Sequence, residues 1–206
     1  MNRYYKVVSV IGALVRQQAK MSKQIWEYIM NRTMAVMMCG LIFLCGAVTA
    51  QGADYDHEIE QKGATFAWKV DGDTLHAKVS AKTKGWVAVG FNPSKKMQDA
   101  NFILGYVKDG EVTVVDHFGD KATSHSSDEE LGGTSDVTVV GGSEEGGVTT
   151  IEFTIPMDSG DKYDSVLSKD GDTVVLFAYG PDRDSFKPRH KNRAEVTVNL
   201  GSGAVK

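Results

Sequence analysis

The stretch that decides the fold is Gly85-Trp86-Val87-Ala88-Val89-Gly90-Phe91-Asn92-Pro93-Ser94-Lys95-Lys96-Met97-Gln98-Asp99-Ala100-Asn101-Phe102-Ile103-Leu104-Gly105-Tyr106-Val107. Two runs rich in Val, Ile and aromatics flank a polar loop, the pattern of two paired β-strands. One residue in the loop departs from that polarity. Met97 stands among Ser, Lys, Gln and Asp. Methionine usually fills gaps in cores; on a polar loop it is either a surface residue or a ligand for something soft.

Working outward, the same logic yields further strands. Thr65 to Val70 alternates apolar and polar, and Asp71-Gly72-Asp73 is a turn into the alternating run Thr74 to Ala81. Lys108-Asp109-Gly110 turns into a strand from Glu111 to Phe118. Strands are expected at Asp136–Val140, Val148–Ile155, Thr173–Tyr179 and Ala194–Leu200, with a turn at Ser143–Gly147. Asp54–Lys62 reads as an extended lead-in, and Gly119–Ser135 and Gly180–Arg193 as long polar loops. Tyr163–Leu167 offers one possible helical turn. About nine short strands separated by turn signals, with no sustained helical period, predict an all-β chain folded as an antiparallel β-sandwich.

The N-terminal quarter obeys a different rule. Met34 to Ala50 carries no charge, follows Arg32 and ends in Val48-Thr49-Ala50, which reads as a secretory signal peptide cleaved after Ala50. The run is short of the roughly 20 residues of a spanning helix, so membrane contact is expected only if the leader is retained. Met30 is a candidate internal start that gives the leader an ordinary length. Residues 1–50 are thus assigned to the leader and 55–200 to one domain, exported to a periplasm or the extracellular space.

Both cysteines, Cys39 and Cys45, lie in the leader, so the domain is expected to have no disulfide, thiolate metal site or covalently attached haem. From Gln51 onward there are 17 Lys and Arg against 26 Asp and Glu, a net charge of −9. An acidic domain is a poor partner for nucleic acid or an anionic membrane. The sequence contains no zinc-protease helix motif, phosphate-binding glycine loop, nucleophile elbow or calcium-loop spacing. The domain is therefore expected not to be an enzyme.

Among the histidines, His57 and His125 are expected in solvent, His76 outward from its strand, and His117 in an ordinary hydrogen bond, with Asp116 a candidate to orient it or a loop. His190 lies in Phe186-Lys187-Pro188-Arg189-His190-Lys191-Asn192-Arg193, a loop just before the last strand. Met97 and His190 thus stand on two loops at strand mouths. A thioether and an imidazole form an axial pair for haem iron, and without cysteine the haem is non-covalent haem b. Other roles for these loops remain open: a haem-free module binding a sugar or other small ligand, or a structural domain of an envelope assembly.

Trp68, Gly85-Trp86-Val87-Ala88-Val89-Gly90-Phe91, Met97, Ala100, Gly105-Tyr106-Val107, Asp116, Thr150-Ile151-Glu152-Phe153 and the late His190 together resemble a DOMON domain. The resemblance implies an immunoglobulin-like β-sandwich. It also implies that Met97 and His190 occupy the axial-ligand positions used by haem-binding members such as the cytochrome domain of cellobiose dehydrogenase. Some related subunits use lysine in place of the histidine, which keeps Lys187 and Lys191 as alternative ligands. Such a domain passes single electrons to or from a redox partner protein that the sequence does not identify.

Basic residues crowd both candidate ligands: Lys95 and Lys96 before Met97, and Lys187, Arg189, Lys191 and Arg193 around His190. Lys96 and Arg189 are candidates to pair with haem propionates or to steer an anionic partner. Phe91, Phe102, Phe118, Tyr179 and Phe186 are candidate pocket walls; Phe102 and Phe118 alternate with strand partners, which favours the core for them, and Phe186, on the His190 loop, is the best pocket candidate.

Overall fold

The computed structural model describes residues 20–24, 26–27 and 54–206. Residues 20–24 and 26–27 are helical, and residues 1–52 form a unit separate from the one that begins at Ala53. The signal peptide, its cleavage site and the internal start lie outside the described residues. No helix among the described residues is long and apolar enough to cross a membrane.

The second unit contains eleven strands and one short helix. They run β1 His57–Gln61, β2 Ala64–Asp71, β3 Thr74–Ala81, β4 Val87–Phe91, β5 Asn101–Lys108 and β6 Glu111–Lys121. There follow β7 Ser124–Ser127, α1 Asp128–Leu131, β8 Thr138–Glu145, β9 Val148–Pro156, β10 Asp172–Tyr179 and β11 Asn192–Asn199. Two antiparallel sheets result, one in the order β1-β2-β3-β9-β8 and the other β11-β10-β4-β5-β6-β7. The fold is the expected all-β antiparallel sandwich.

Turn chemistry sets the registers. Lys108 pairs with Glu111 across Asp109-Gly110, whose φ values are +51° and +84°. Two positive φ angles in a two-residue loop match the right-handed twist of the flanking strands. Lys62-Gly63 makes the same turn, with φ values of +49° and +81°, and so converts the lead-in into strand β1. Once register is fixed, the side-chain period of two decides which face each residue takes. β3 buries Leu75, Ala77, Val79 and Ala81 and turns the intervening side chains outward.

The inter-sheet core gathers Phe66, Trp68, Leu75, Val89, Phe91, Ile103, Ile151, Phe153 and Phe177. Trp68 is wholly buried, stacks on Phe66 with ring centroids 4.9 Å apart, and donates its Nε1–H to the Leu200 carbonyl at 2.9 Å. That bond matters because a buried indole N–H left unpaired costs stability.

Two segments differ from expectation. The polar interval after Phe118 is not one loop: β6 continues to Lys121, and β7 and α1 follow. β7 is an edge strand whose residues are all only half-buried, so it forms on backbone pairing with β6 and needs no apolar face. Tyr163–Leu167 makes no helical turn. Its backbone is held by side chains instead, with Tyr163 N–H donating to Asp161 and the Tyr163 hydroxyl to the Leu131 carbonyl at 2.7 Å.

Candidate functional site

β4 is buried at all five positions and β5 at six of eight. A sandwich strand ordinarily buries alternate residues, facing the other sheet. Here the outward residues are covered as well. Ala88, Phe102 and Leu104, with Trp86 and Ala100, make a second apolar cluster on the outer face of the six-stranded sheet. Tyr106, Val115, Leu176 and Ala178 pack against it, and so do Met97 and Phe186. Two loops form its cover.

The first loop joins β4 to β5. It is a tight turn with Lys96 and Asp99 at φ +58° and +62°. Ser94 N–H donates to the Gln98 carbonyl at 2.9 Å, and Ala100 N–H to the Met97 carbonyl at 3.3 Å. The loop is tied down to β6 by Asp99 N–H to the Gly119 carbonyl and Gly119 N–H to the Ala100 carbonyl, each 2.8 Å. A Cβ at Gly119 would lie 1.7 Å from the Met97 carbonyl oxygen, so this close approach requires glycine. Half-buried Met97 is thus held against the apolar face by backbone on both sides.

The second loop joins β10 to β11 and is seated on Trp86. Gly180 N–H donates to the Trp86 carbonyl at 2.8 Å, and the Trp86 indole N–H donates to the Pro188 carbonyl at 3.2 Å. A Cβ at Gly180 would come within 2.3 Å of the Trp86 ring. Phe186 folds onto Tyr106 with centroids 4.8 Å apart. His190 follows two residues after Pro188 and is exposed, as are Lys187 and Arg189. The covered part of its ring, then Arg193 and Arg189, lower its pKa below the ordinary imidazole value. Neutral imidazole, the form that binds metals, is favoured.

The sequence-derived residues therefore divide. Met97 and Phe186 share the outer cluster, and His190 lies on the loop that carries Phe186. Lys96 and Arg189 are exposed on the two covering loops. Phe91 must be corrected: it is wholly buried between the sheets, with its ring 6.0 Å from that of Phe66, and has no surface toward Met97. Phe102 is the reverse case, an outer-face residue and not part of the inter-sheet core. Tyr179 belongs to the inner core, and Phe118 packs on Tyr163.

His125 and His57 are placed differently from expectation, and of the two roles offered for Asp116 the structure shows the one toward a loop. His125 is half-buried beside Phe102, and its Nδ1 lies 2.7 Å from Nδ1 of His117. One neutral ring donates and the other accepts. Burial lowers both pKa values, that of His117 to about 4 with a further push from His125. Asp116 does not orient His117, because the strand turns the two to opposite faces; its carboxylate accepts from Asp136 N–H at 2.9 Å. His57 lies in strand β1 against Trp68, with centroids 5.3 Å apart. The signal missed in the sequence was the His117–His125 spacing across a short hairpin.

The geometry is that of a two-sheet antiparallel sandwich whose six-stranded sheet carries an apolar outer cluster closed by two loops. The chain belongs to the DOMON family, whose DOMON domain profile matches residues 60–180. Its fold is similar to that of the cytochrome b domain of pyranose dehydrogenase from Coprinopsis cinerea, with a TM-score of 0.55 and 14% identity over 71% of this chain and 82% of that one. The cytochrome domain of Myriococcum thermophilum cellobiose dehydrogenase matches with a TM-score of 0.49 and 11% identity, over 72% of this chain and 83% of that one.

Proposed function

We propose that this protein is an exported haem b–binding domain that transfers single electrons and performs no catalysis of its own. The observation that carries the reading is the doubly buried pair β4 and β5. A solvent-facing sheet surface has no reason to be apolar unless something covers it, and the two loops that cover this one bring a thioether and an imidazole.

The residues fit the group in chemistry and setting. Met97 offers a soft sulfur, and His190 an imidazole biased to its neutral form. Trp86, Phe102 and Leu104 supply an apolar floor, while Lys96 and Arg189 stand exposed on the covering loops, placed to meet carboxylates at the edge. Trp86, Phe102 and Leu104 are 5%, 7% and 3% exposed, so the loops must part to admit a macrocycle. Met97 and His190 would hold the haem, which would supply one-electron exchange and no chemistry on substrate or oxygen. The chain's own work is to hold the two donors on short tethers, exclude water from the floor and present basic edges to a partner. The partner is a separate redox protein.

The test is the visible spectrum of the purified protein, oxidised and dithionite-reduced, after expression with added haem. A sharp Soret band, with split α and β bands on reduction, is expected. Met97→Ala and His190→Ala are each expected to abolish the low-spin spectrum while leaving the β-sheet circular dichroism in place. A parent protein that folds but takes up no haem would overturn the proposal.

A further inference from the structure

On the inner face of the same sheet, at the end where β5 begins, three carboxylates meet, and none of them is in an ion pair. Asp116 comes from β6, Asp128 from the start of α1 and Asp164 from the segment between β9 and β10. Each offers an oxygen, and these oxygens lie within 4.8 Å of one another. Asp128 is completely buried and Asp116 is 3% exposed. Both oxygens of Asp128 and Oδ1 of Asp116 have no hydrogen-bond partner. The one ion pair among the described residues, Lys206 with Asp172, lies elsewhere.

A fourth side chain points to what is missing. Asn101 is 4% exposed; its amide nitrogen donates to Asp164, which places its head at the cluster. Its Oδ1 is buried without a partner. Asn101 opposes Phe118 in the β5–β6 register, so it neighbours Asp116 diagonally on one face. A buried amide oxygen beside unpaired carboxylate oxygens is a set made only of hard oxygen donors. Burying unpaired carboxylates is costly, and burial together with mutual repulsion pushes Asp128 up to about 8 and Asp116 to about 7.

We propose that Asn101, Asp116, Asp128 and Asp164 bind a hard divalent cation, with calcium the ion of matching size. Calcium–oxygen distances of about 2.3–2.6 Å set oxygens on opposite sides of the ion roughly 4.6–5.2 Å apart, whereas magnesium requires a tighter, regular octahedron. The ion joins β5, β6, α1 and the β9–β10 segment, which no ion pair ties together among the described residues. Because β5 starts directly after the Met97 turn, the ion also braces the base of that turn. The site lies on the opposite face from the haem-binding surface, and its existence does not depend on that reading.

The experiment is a thermal-unfolding titration of the full-length chain, stripped with chelator and then given calcium or magnesium chloride. A saturable rise in Tm is expected with calcium, about 5 °C or more at a hundredfold excess over Kd, and a smaller one with magnesium. Terbium luminescence sensitised by the protein and displaced by calcium is the second readout. Asp128→Asn and Asp116→Asn together are expected to remove both responses. These isosteric changes delete buried charge, so the variant should fold at least as well as the metal-free parent, and circular dichroism will verify it. No calcium response up to about 10 mM, or an equal response in the folded double variant, overturns the site; a variant stabilised over a calcium-indifferent parent identifies a proton-sharing cluster instead.

Discussion

The six-stranded sheet buries both faces of its central strands β4 and β5, but by different means. Its inner face meets a second sheet, and the core there, from Trp68 to Phe153 and Phe177, is built by strands against strands. Its outer face meets two loops, and the cluster of Trp86, Phe102 and Leu104 is closed by Met97 and Phe186 on polar segments. A core between sheets is fixed by every strand at once. A core under loops is only as fixed as the few bonds that seat them, here those at Gly119, Gly180 and Trp86. The first arrangement suits stability and the second suits a site that has to open.

The largest expected effect belongs to the inner face. Trp68→Ala removes a wholly buried indole, its stacking on Phe66 and its bond to Leu200. It should cost about 3–5 kcal/mol, read as a lowered urea midpoint. Gly119→Ala strikes the seat of the outer cover. With a Cβ 1.7 Å from the Met97 carbonyl, the turn must shift, at about 1–3 kcal/mol. The two should differ in kind. Haem uptake by Trp68→Ala should track the folded fraction, while Gly119→Ala should lose low-spin haem even where the protein is fully folded. Equal uptake per folded molecule in both would erase the distinction between the faces.

How the faces escape or betray themselves in sequence follows from the same contrast. Alternation made the strands of the five-stranded sheet legible, because Leu75, Ala77 and Val79 have polar neighbours that fix the phase. Val87 to Phe91 has no polar member, so it announces a strand but not which side faces inward. That is why Phe91 read as a pocket wall and Phe102 as core, when the register Val89 with Ile103 places them the other way. The turns at Met97 and before His190 were visible as polar interruptions, and the outer cluster beneath them was not. The edge strands β1 and β7 were hidden for lack of an apolar face. Nor does the sequence reveal that Asp116, Asp128 and Asp164 converge from three elements.

A moderate effect is expected from pH, and the two faces contribute to it with opposite signs. His117 and His125 have folded pKa values below the ordinary value of about 6.5. Well above pH 6.5 both are neutral in either state and contribute nothing. As pH falls from there toward 4, the unfolded chain takes up protons that the folded one excludes, so stability is lost. Buried Asp116 and Asp128, whose pKa values are raised, act in the opposite sense: acid favours the folded state through them. The histidine part is isolated by difference. Between pH 7.5 and 4.5, parent protein should lose more stability than the His117→Gln, His125→Gln variant, and parallel profiles would mean the pair stays accessible to water.

The smallest effect on the fold should come from the exposed charges, and it sharpens the contrast most. Lys96 and Arg189 sit on the two loops of the outer face, exposed and without an ion-pair partner among the described residues. Replacing both by Gln should leave stability within about 0.5 kcal/mol of the parent. Their effect should lie in the encounter. Rim charges alter association rates more than bound-state energies, and salt screens them over about 10 Å at 0.1 M. Stopped-flow reduction of an anionic acceptor by the haem-loaded domain should slow as ionic strength rises. The Lys96→Gln, Arg189→Gln variant should be slower at low salt and nearly indifferent to it. The domain as a whole is acidic, so this response has the opposite sign to the one its net charge of −9 alone would give. A parent rate that rises with salt would show the acceptor sensing the whole molecule, and the basic loops would then be surface charge rather than a docking edge.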